Sequence, residues 1–234
     1  MRRYLFIRVF ILSTTALAST APAQRAATFF GLGDLPGGDF NSFAMRVSTN
    51  GHAATGFSLS GGGFPGTFEA FRWTQDEGMI PLGKLDGGTE SFGYGVSANG
   101  RYVVGTGGST QGGQAFLWSE DVGIQGLGRL QGAIGSSAAT GVSADGSVVV
   151  GWGGNGEAFR WTQSTGMVGI GFLPGASSSS AAGVTDDGTG IVGSSGGRVF
   201  LWIEDSGYER LGNARRVEER DGKFTLTDRH RCRW

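Results

Sequence analysis

Short apolar runs separated by glycine-rich polar turns recur four times along this chain, and they alternate with the period of a strand rather than a helix. Val47-Ser48-Thr49-Asn50-Gly51 returns as Val96-Ser97-Ala98-Asn99-Gly100, Val142-Ser143-Ala144-Asp145-Gly146 and Val184-Thr185-Asp186-Asp187-Gly188. A serine stands five residues before each of these valines (Ser42, Ser91, Ser137, Ser179), and a glycine five after each turn glycine (Gly56, Gly105, Gly151, Gly193). Ala70-Phe71-Arg72-Trp73 then matches Ala115-Phe116-Leu117-Trp118, Ala158-Phe159-Arg160-Trp161 and Val199-Phe200-Leu201-Trp202. Each unit closes on Leu82-Gly83, Leu127-Gly128, Ile170-Gly171 or Leu211-Gly212, and the Trp-to-Trp period is 45, 43 and 41 residues.

Each unit reads as four strands. Asn-Gly or Asp-Gly between apolar runs predicts a two-residue hairpin. Phe71 and Trp73, two apart, share one face of a strand, and Leu82 to Leu85 repeats that spacing. The expected fold is all-β: a β-propeller-like array of four roughly 41–50-residue four-stranded repeats, with a segment of a larger propeller as the alternative. The Phe and Trp positions are core, buried where successive blades stack. Leu32-Gly33-Asp34-Leu35 precedes the first full unit as an unpaired extra strand.

These blocks at steady spacing resemble the extracellular HAF-repeat family, over roughly Gly31 to Gly212 or about three-quarters of the chain. The resemblance implies a secreted or surface-exposed bacterial propeller-like array. It implies no established activity and supplies no catalytic motif.

The first 23 residues read as a signal peptide. Arg2, Arg3 and Arg8 carry the charge, Val9 to Ala18 is a modest apolar stretch, and Ala21-Pro22-Ala23 offers small residues for cleavage before Gln24. Cleavage after Ala18 is the second choice. The apolar stretch is short of the roughly 20 residues a membrane-spanning helix needs, so no span is expected after processing. Residues 24–213 carry the repeats. Residues 214–234 lose almost all the glycines, gain Arg215, Arg216, Arg220, Lys223, Arg229, Arg231 and Arg233, and are expected to be a disordered basic tail or the mark of a severed array. The expected location is extracellular, cell-surface or periplasmic.

Composition narrows the chemistry further. Of the 234 residues 46 are glycine and only 17% are charged, with a net charge of -1, which leaves no footprint for nucleic acid. Cys232 stands alone, so no internal disulfide forms. The histidines are His52, on a turn flank, and His230, in the tail; neither builds a Ser-His-Asp arrangement, and no Gly-x-Ser-x-Gly elbow occurs. Asp186-Asp187-Gly188 and Asp145-Gly146 sit where tight turns want Asp, without the alternating oxygen ligands of a calcium loop. The Gly151-x-Gly153-x-x-Gly156 match has no helix after it and carries no dinucleotide reading. No catalytic, metal or cofactor residues are assigned.

The distance from the second-strand glycine to the Phe varies most, at 15, 11, 8 and 7 residues, and variation on a fixed scaffold marks recognition loops. Phe57 and Phe64, in the longest of these, are the candidate ligand contacts. The sequence thus predicts a secreted non-enzymatic surface, matrix or adhesion module for extracellular polysaccharide or an envelope protein. Its alternatives are a carbohydrate-active propeller enzyme and a truncated relic of a longer repeat protein. Amino-terminal sequencing of the exported protein is expected to read from Gln24; a start at Met1 would contradict the export signal.

Overall fold

The structure is a computed structural model that describes residues 28–61, 66–204, 207–209, 217–220 and 223–226. Residues from Leu32 onward form one compact unit. The signal peptide, Phe64, Cys232 and His230 lie outside the described residues.

Each repeat is a four-stranded antiparallel sheet, ordered as in the sequence. Blade 1 is β1 (Ser42–Val47), β2 (Ala53–Ser60), β3 (Thr67–Thr74) and β4 (Gly78–Pro81). Blade 2 is β5 (Ser91–Val96), β6 (Tyr102–Gly107), β7 (Gln114–Ser119) and β8 (Gly123–Gly126). Blade 3 is β9 (Ala138–Val142), β10 (Val148–Trp152), β11 (Ala158–Thr162) and β12 (Gly166–Gly171). Blade 4 is β13 (Ser179–Val184), β14 (Gly190–Ser195), β15 (Arg198–Ile203) and β16 (Gly207–Glu209). No helix occurs among the described residues. The all-β array of four four-stranded repeats is as expected.

The turns differ from expectation. They are not two-residue hairpins but five-residue loops organised by a hydroxyl, that of a serine in blades 1 to 3 and of Thr185 in blade 4. In blade 1 the Gly51 N–H donates to Ser48 O (2.8 Å), the Ser48 N–H donates to Ala53 O (2.8 Å), and Ser48 Oγ accepts the Ala53 N–H (2.9 Å). Asn50 Oδ1 accepts from Ser48 Oγ and from the His52 N–H. The same web recurs around Asn99, Asp145 and Asp187. His52 is exposed, as its turn position implied.

The glycine five residues past each turn is dictated by close approach. A Cβ at Gly56, Gly105, Gly151 or Gly193 would collide with the carbonyl oxygen of Phe43, Phe92, Ala138 or Ser180 on the neighbouring first strand. There the first strand carries a β-bulge at Met45, Tyr94, Thr140 or Ala182, which bends it toward its partner.

In blades 1 and 2 the Leu-Gly-x-Leu block is not the fourth strand. There the strand ends before it, at Pro81 and Gly126, and the block crosses to the next blade with its glycine at φ 84° (Gly83) and 80° (Gly128), a conformation that favours a residue without Cβ. In blade 3 the strand runs through Ile170-Gly171, and Gly171, at φ 81°, pairs with Ala158. Leu32-Gly33-Asp34-Leu35 is the same crossing ahead of blade 1, with Gly33 at φ 88°, so it is no redundant strand.

Leucines of these crossings fill the seams between blades. Leu82 and Leu85 join Ala70, Val103, Phe116 and Trp118 between blades 1 and 2. Leu127 and Leu130 join Ala115, Val149, Phe159 and Trp161 in the next seam, and Leu173 joins Ala158, Ile191 and Phe200 in the third. All four repeat phenylalanines are at most 1% exposed, and Trp118 and Trp161 are buried, as expected of core positions, whereas Trp73 and Trp202 are only partly buried.

A serine hydroxyl ties each seam. Ser91 Oγ accepts the Ala70 N–H (2.9 Å), Ser137 Oγ the Ala115 N–H (2.9 Å), and Ser179 Oγ the Ala158 N–H (2.8 Å). Arg72, on the face opposite Phe71, reaches across the same seam, and its Nε donates to Gly100 O (2.8 Å).

In the basic tail, expected to be disordered, β17 (Val217–Arg220) pairs with β18 (Lys223–Leu226). The intervening sequence, Asp221-Gly222, is a two-residue hairpin signal.

Two measurements check this account. Ser137→Ala leaves the buried Ala115 N–H without a partner and is expected to cost about 1–3 kcal/mol in denaturant unfolding, while Ser42→Ala, at an exposed position, costs little. The Ser143 and Ser147 hydrogen bonds hold the Asp145 carboxyl down from 3.8 to about 2. Its folded value lies below its unfolded one, so this stabilisation is complete above about pH 4 and is lost as pH falls toward 2. Asp145→Asn, which copies Asn50 and Asn99, is expected to keep neutral-pH stability and to flatten that part of the acid unfolding profile.

Candidate functional site

The chemistry-bearing features of the described residues fall in two places. One is a cavity of about 250 Å³ that the first strands of all four blades line. Arg46 of β1, Val96 of β5, Thr140 of β9 and Val184 of β13 face it, with Asp186 at the blade 4 turn. These first strands are therefore the inner strands of the array. The Thr140 hydroxyl is already committed, donating to Ala181 O of the next blade (2.8 Å). The cavity falls below the roughly 300–1,000 Å³ of typical small-molecule pockets. Burial, and secondarily the Glu90 carboxylate, push the Tyr94 hydroxyl above its usual pKa.

The other is an aromatic cluster at the seam of blades 1 and 2. The extra residues of the first repeat do not form a long loop. They extend the ladder, so that β2 and β3 run eight residues each and Leu59 pairs with Phe68 and Ser60 with Thr67. Phe57, expected in a loop, is therefore a strand residue, opposite Phe43 on one side and Ala70 on the other. Its ring centroid lies 5.1 Å from Phe43, 5.3 Å from Phe68 (edge-on, 86°) and 5.1 Å from Phe92 of blade 2 (75°). Tilted and edge-to-face pairs at such distances each contribute about 0.5–1.5 kcal/mol beyond area burial. Phe57, Phe68 and Phe92 are half-buried, while Phe43 remains 48% exposed.

Of the two sequence candidates, the structure thus seats Phe57 in a four-ring cluster, and Phe64 lies outside the described residues. Phe43, Phe68 and Phe92 were missed. The signal was present: Phe43 and Phe92 both follow the seam serine, and the strand alternation carries Phe57 and Phe68 to their side. The equivalent of Phe57 in blade 3 is Trp152, itself 38% exposed.

Arg72 and Arg160 are structural. Arg72 pairs with Glu77 at 2.6 Å, which holds the Glu77 carboxyl below its ordinary value, and Arg160 reaches Glu204 of blade 4 at 3.1 Å. Among the described residues no three His, Cys, Asp or Glu side chains gather as a metal site, and no helix is long and apolar enough to cross a membrane.

The blade geometry has solved counterparts. The chain is similar to the β-propeller protein TolB from Acinetobacter baumannii, at a TM-score of 0.51 and 12% identity, over 73% of this chain and 43% of that one. It is also similar to a protein described as TolB from Agrobacterium tumefaciens, at a TM-score of 0.47 and 16% identity, over 74% of this chain and 62% of that one. The chain spans less than two thirds of either neighbour, and at such identities the likeness shows the fold alone. No family model and no curated protein matches the chain.

The cluster yields a structural expectation. Phe57→Ala removes three ring contacts in one step and is expected to destabilise blade 1 by about 3 kcal/mol or more, whereas Phe43→Ala, half exposed, costs about 1 kcal/mol. Thermal melts of the two variants check the order.

Proposed function

We propose that this chain is an exported, non-enzymatic binding module of the HAF-repeat kind, which holds an extracellular or cell-wall polysaccharide against the aromatic cluster of blades 1 and 2. The observation that carries the reading is the half-open set of Phe43, Phe57, Phe68 and Phe92, fixed on strands and crossing a seam. Rings held rigidly by strands lose little entropy on binding, and the apolar faces of sugar rings match them in size and hydrophobicity. The propeller fold supports this reading because it is a rigid scaffold that presents edge features without rearrangement. The Gly-rich sequence that follows Ser60 contains Phe64, the second candidate contact.

Co-sedimentation of the full chain with insoluble envelope and extracellular polysaccharides tests the proposal. Retention is expected, and Phe43→Ala or Phe64→Ala is expected to weaken it about tenfold without lowering the melting temperature by more than a few degrees. Absence of retention on every polysaccharide, retention on envelope proteins alone, or retention indifferent to both substitutions contradicts it. Release of reducing sugar by the purified chain would replace it with the enzymatic alternative.

A further inference from the structure

Two charged residues depart from the repeat, and the fold brings both to the cavity between the inner strands. Immediately before Val47, Val96, Val142 and Val184 stand Arg46, Gly95, Gly141 and Gly183. Glycine suits that place, because the inner strands of successive blades approach closely there. A Cβ on Gly95 would lie 2.7 Å from Thr140 O of the next blade, and one on Gly141 would lie 3.1 Å from Gly183 Cα. Blade 1 alone carries a side chain at this position, a long cationic one that is exposed.

The second departure is in the turn of blade 4. Two residues before each turn glycine stand Thr49, Ala98, Ala144 and Asp186. Backbone bonds between blades use this residue through its carbonyl: Ala98 O accepts the Asn50 N–H (3.3 Å), and Asp186 O accepts the Ala144 N–H (3.0 Å). The carboxylate that organises the blade 4 turn is that of Asp187, which accepts from the Thr185 hydroxyl and from the Thr189 N–H (3.1 Å). The Asp186 carboxylate has no part in the turn, and alanine stands in its place in blades 2 and 3.

Arg46 and Asp186 both line the cavity of about 250 Å³, one on the first blade and one on the last. Among the described residues they are its only charged lining; the rest is Gly, Ala, Val and Thr. Among the described residues neither has an ion-pair partner, the other included. Opposite charges held apart on two walls complement a molecule that carries both. A guanidinium takes a carboxylate through two parallel N–H donors, and a carboxylate accepts from an ammonium. The Thr140 hydroxyl, which gives its proton to Ala181 O, keeps lone pairs for a further donor. The space is smaller than a drug-sized ligand requires and suits a molecule of amino-acid size.

We propose that this cavity binds a small zwitterion of the α-amino acid class, its carboxylate on Arg46 and its ammonium on Asp186. The site is separate from the aromatic cluster and takes a different class of ligand.

Saturation-transfer NMR of the full chain with a mixture of the α-amino acids that have uncharged side chains tests the proposal, with calorimetric titration of those that bind. Saturable binding of at least one is expected. Its N-acetyl derivative, which lacks the ammonium, and its amide, which lacks the carboxylate, are each expected to bind about tenfold more weakly or worse. Arg46→Gln and Asp186→Ala, the latter copying Ala98 and Ala144, are each expected to weaken the parent ligand by about the same factor. Thermal melts of both variants are expected to stay within a few degrees of the parent protein, so that lost binding is not lost fold. Absence of binding by every amino acid in the mixture overturns the proposal, as does binding that both substitutions leave unchanged. An N-acetyl derivative bound as tightly as the free amino acid reveals a simple anion site, and an equally tight amide a simple cation site; either result overturns the zwitterion.

Discussion

Everything in this molecule hangs on the contact between one blade and the next. A four-stranded sheet of this size cannot bury its faces alone, so each blade needs a neighbour, and the seam must satisfy backbone donors as well as fill space. The solution is economical in residue types. A serine at the head of an inner strand accepts the N–H of the preceding blade's alanine, and a leucine from the crossing segment fills the gap beside it. Ala70, Ala115 and Ala158 are wholly buried because the next blade lies directly over them, which leaves no room for a larger residue.

Several other features follow from that approach. The inner strands bulge, and the bulge brings their carbonyls onto the second-strand glycines so closely that no side chain fits there. The serine–Asx turns join neighbours directly, as when Asn99 Nδ2 donates to Ala144 O (2.8 Å). The lengthened β2–β3 hairpin with its phenylalanines departs from the repeat at the edge of the first seam, and the proposed ligand site belongs there.

Much of this was legible in the sequence because the repeat supplies its own internal comparison. Four copies of Ser, Val-x-x-x-Gly, Gly, Ala-Phe-x-Trp and Leu-Gly located the blades and their core residues. The purposes of those residues were less legible. Ser91 and Ser137 read as strand starts because a hydrogen bond to another blade leaves no trace in local periodicity. Leu82-Gly83 read as a strand because its spacing of two suits one, whereas the positive φ of Gly83 is set by the crossing to the next blade. Phe57 read as a loop residue because length differences were counted as loop, when they were ladder. Strand pairing register, which decided that point, depends on partners distant in sequence.

Amide hydrogen exchange read residue by residue tests the seam account most directly. The N–H groups of Ala70, Ala115 and Ala158 donate to the hydroxyls of Ser91, Ser137 and Ser179 rather than to a ladder carbonyl, and their protection comes through those serines. The account predicts that these three exchange as slowly as the central strands of their blades and that all three accelerate when the matching serine is replaced by alanine. Exchange at the rate of the exposed turns in the parent protein would contradict it.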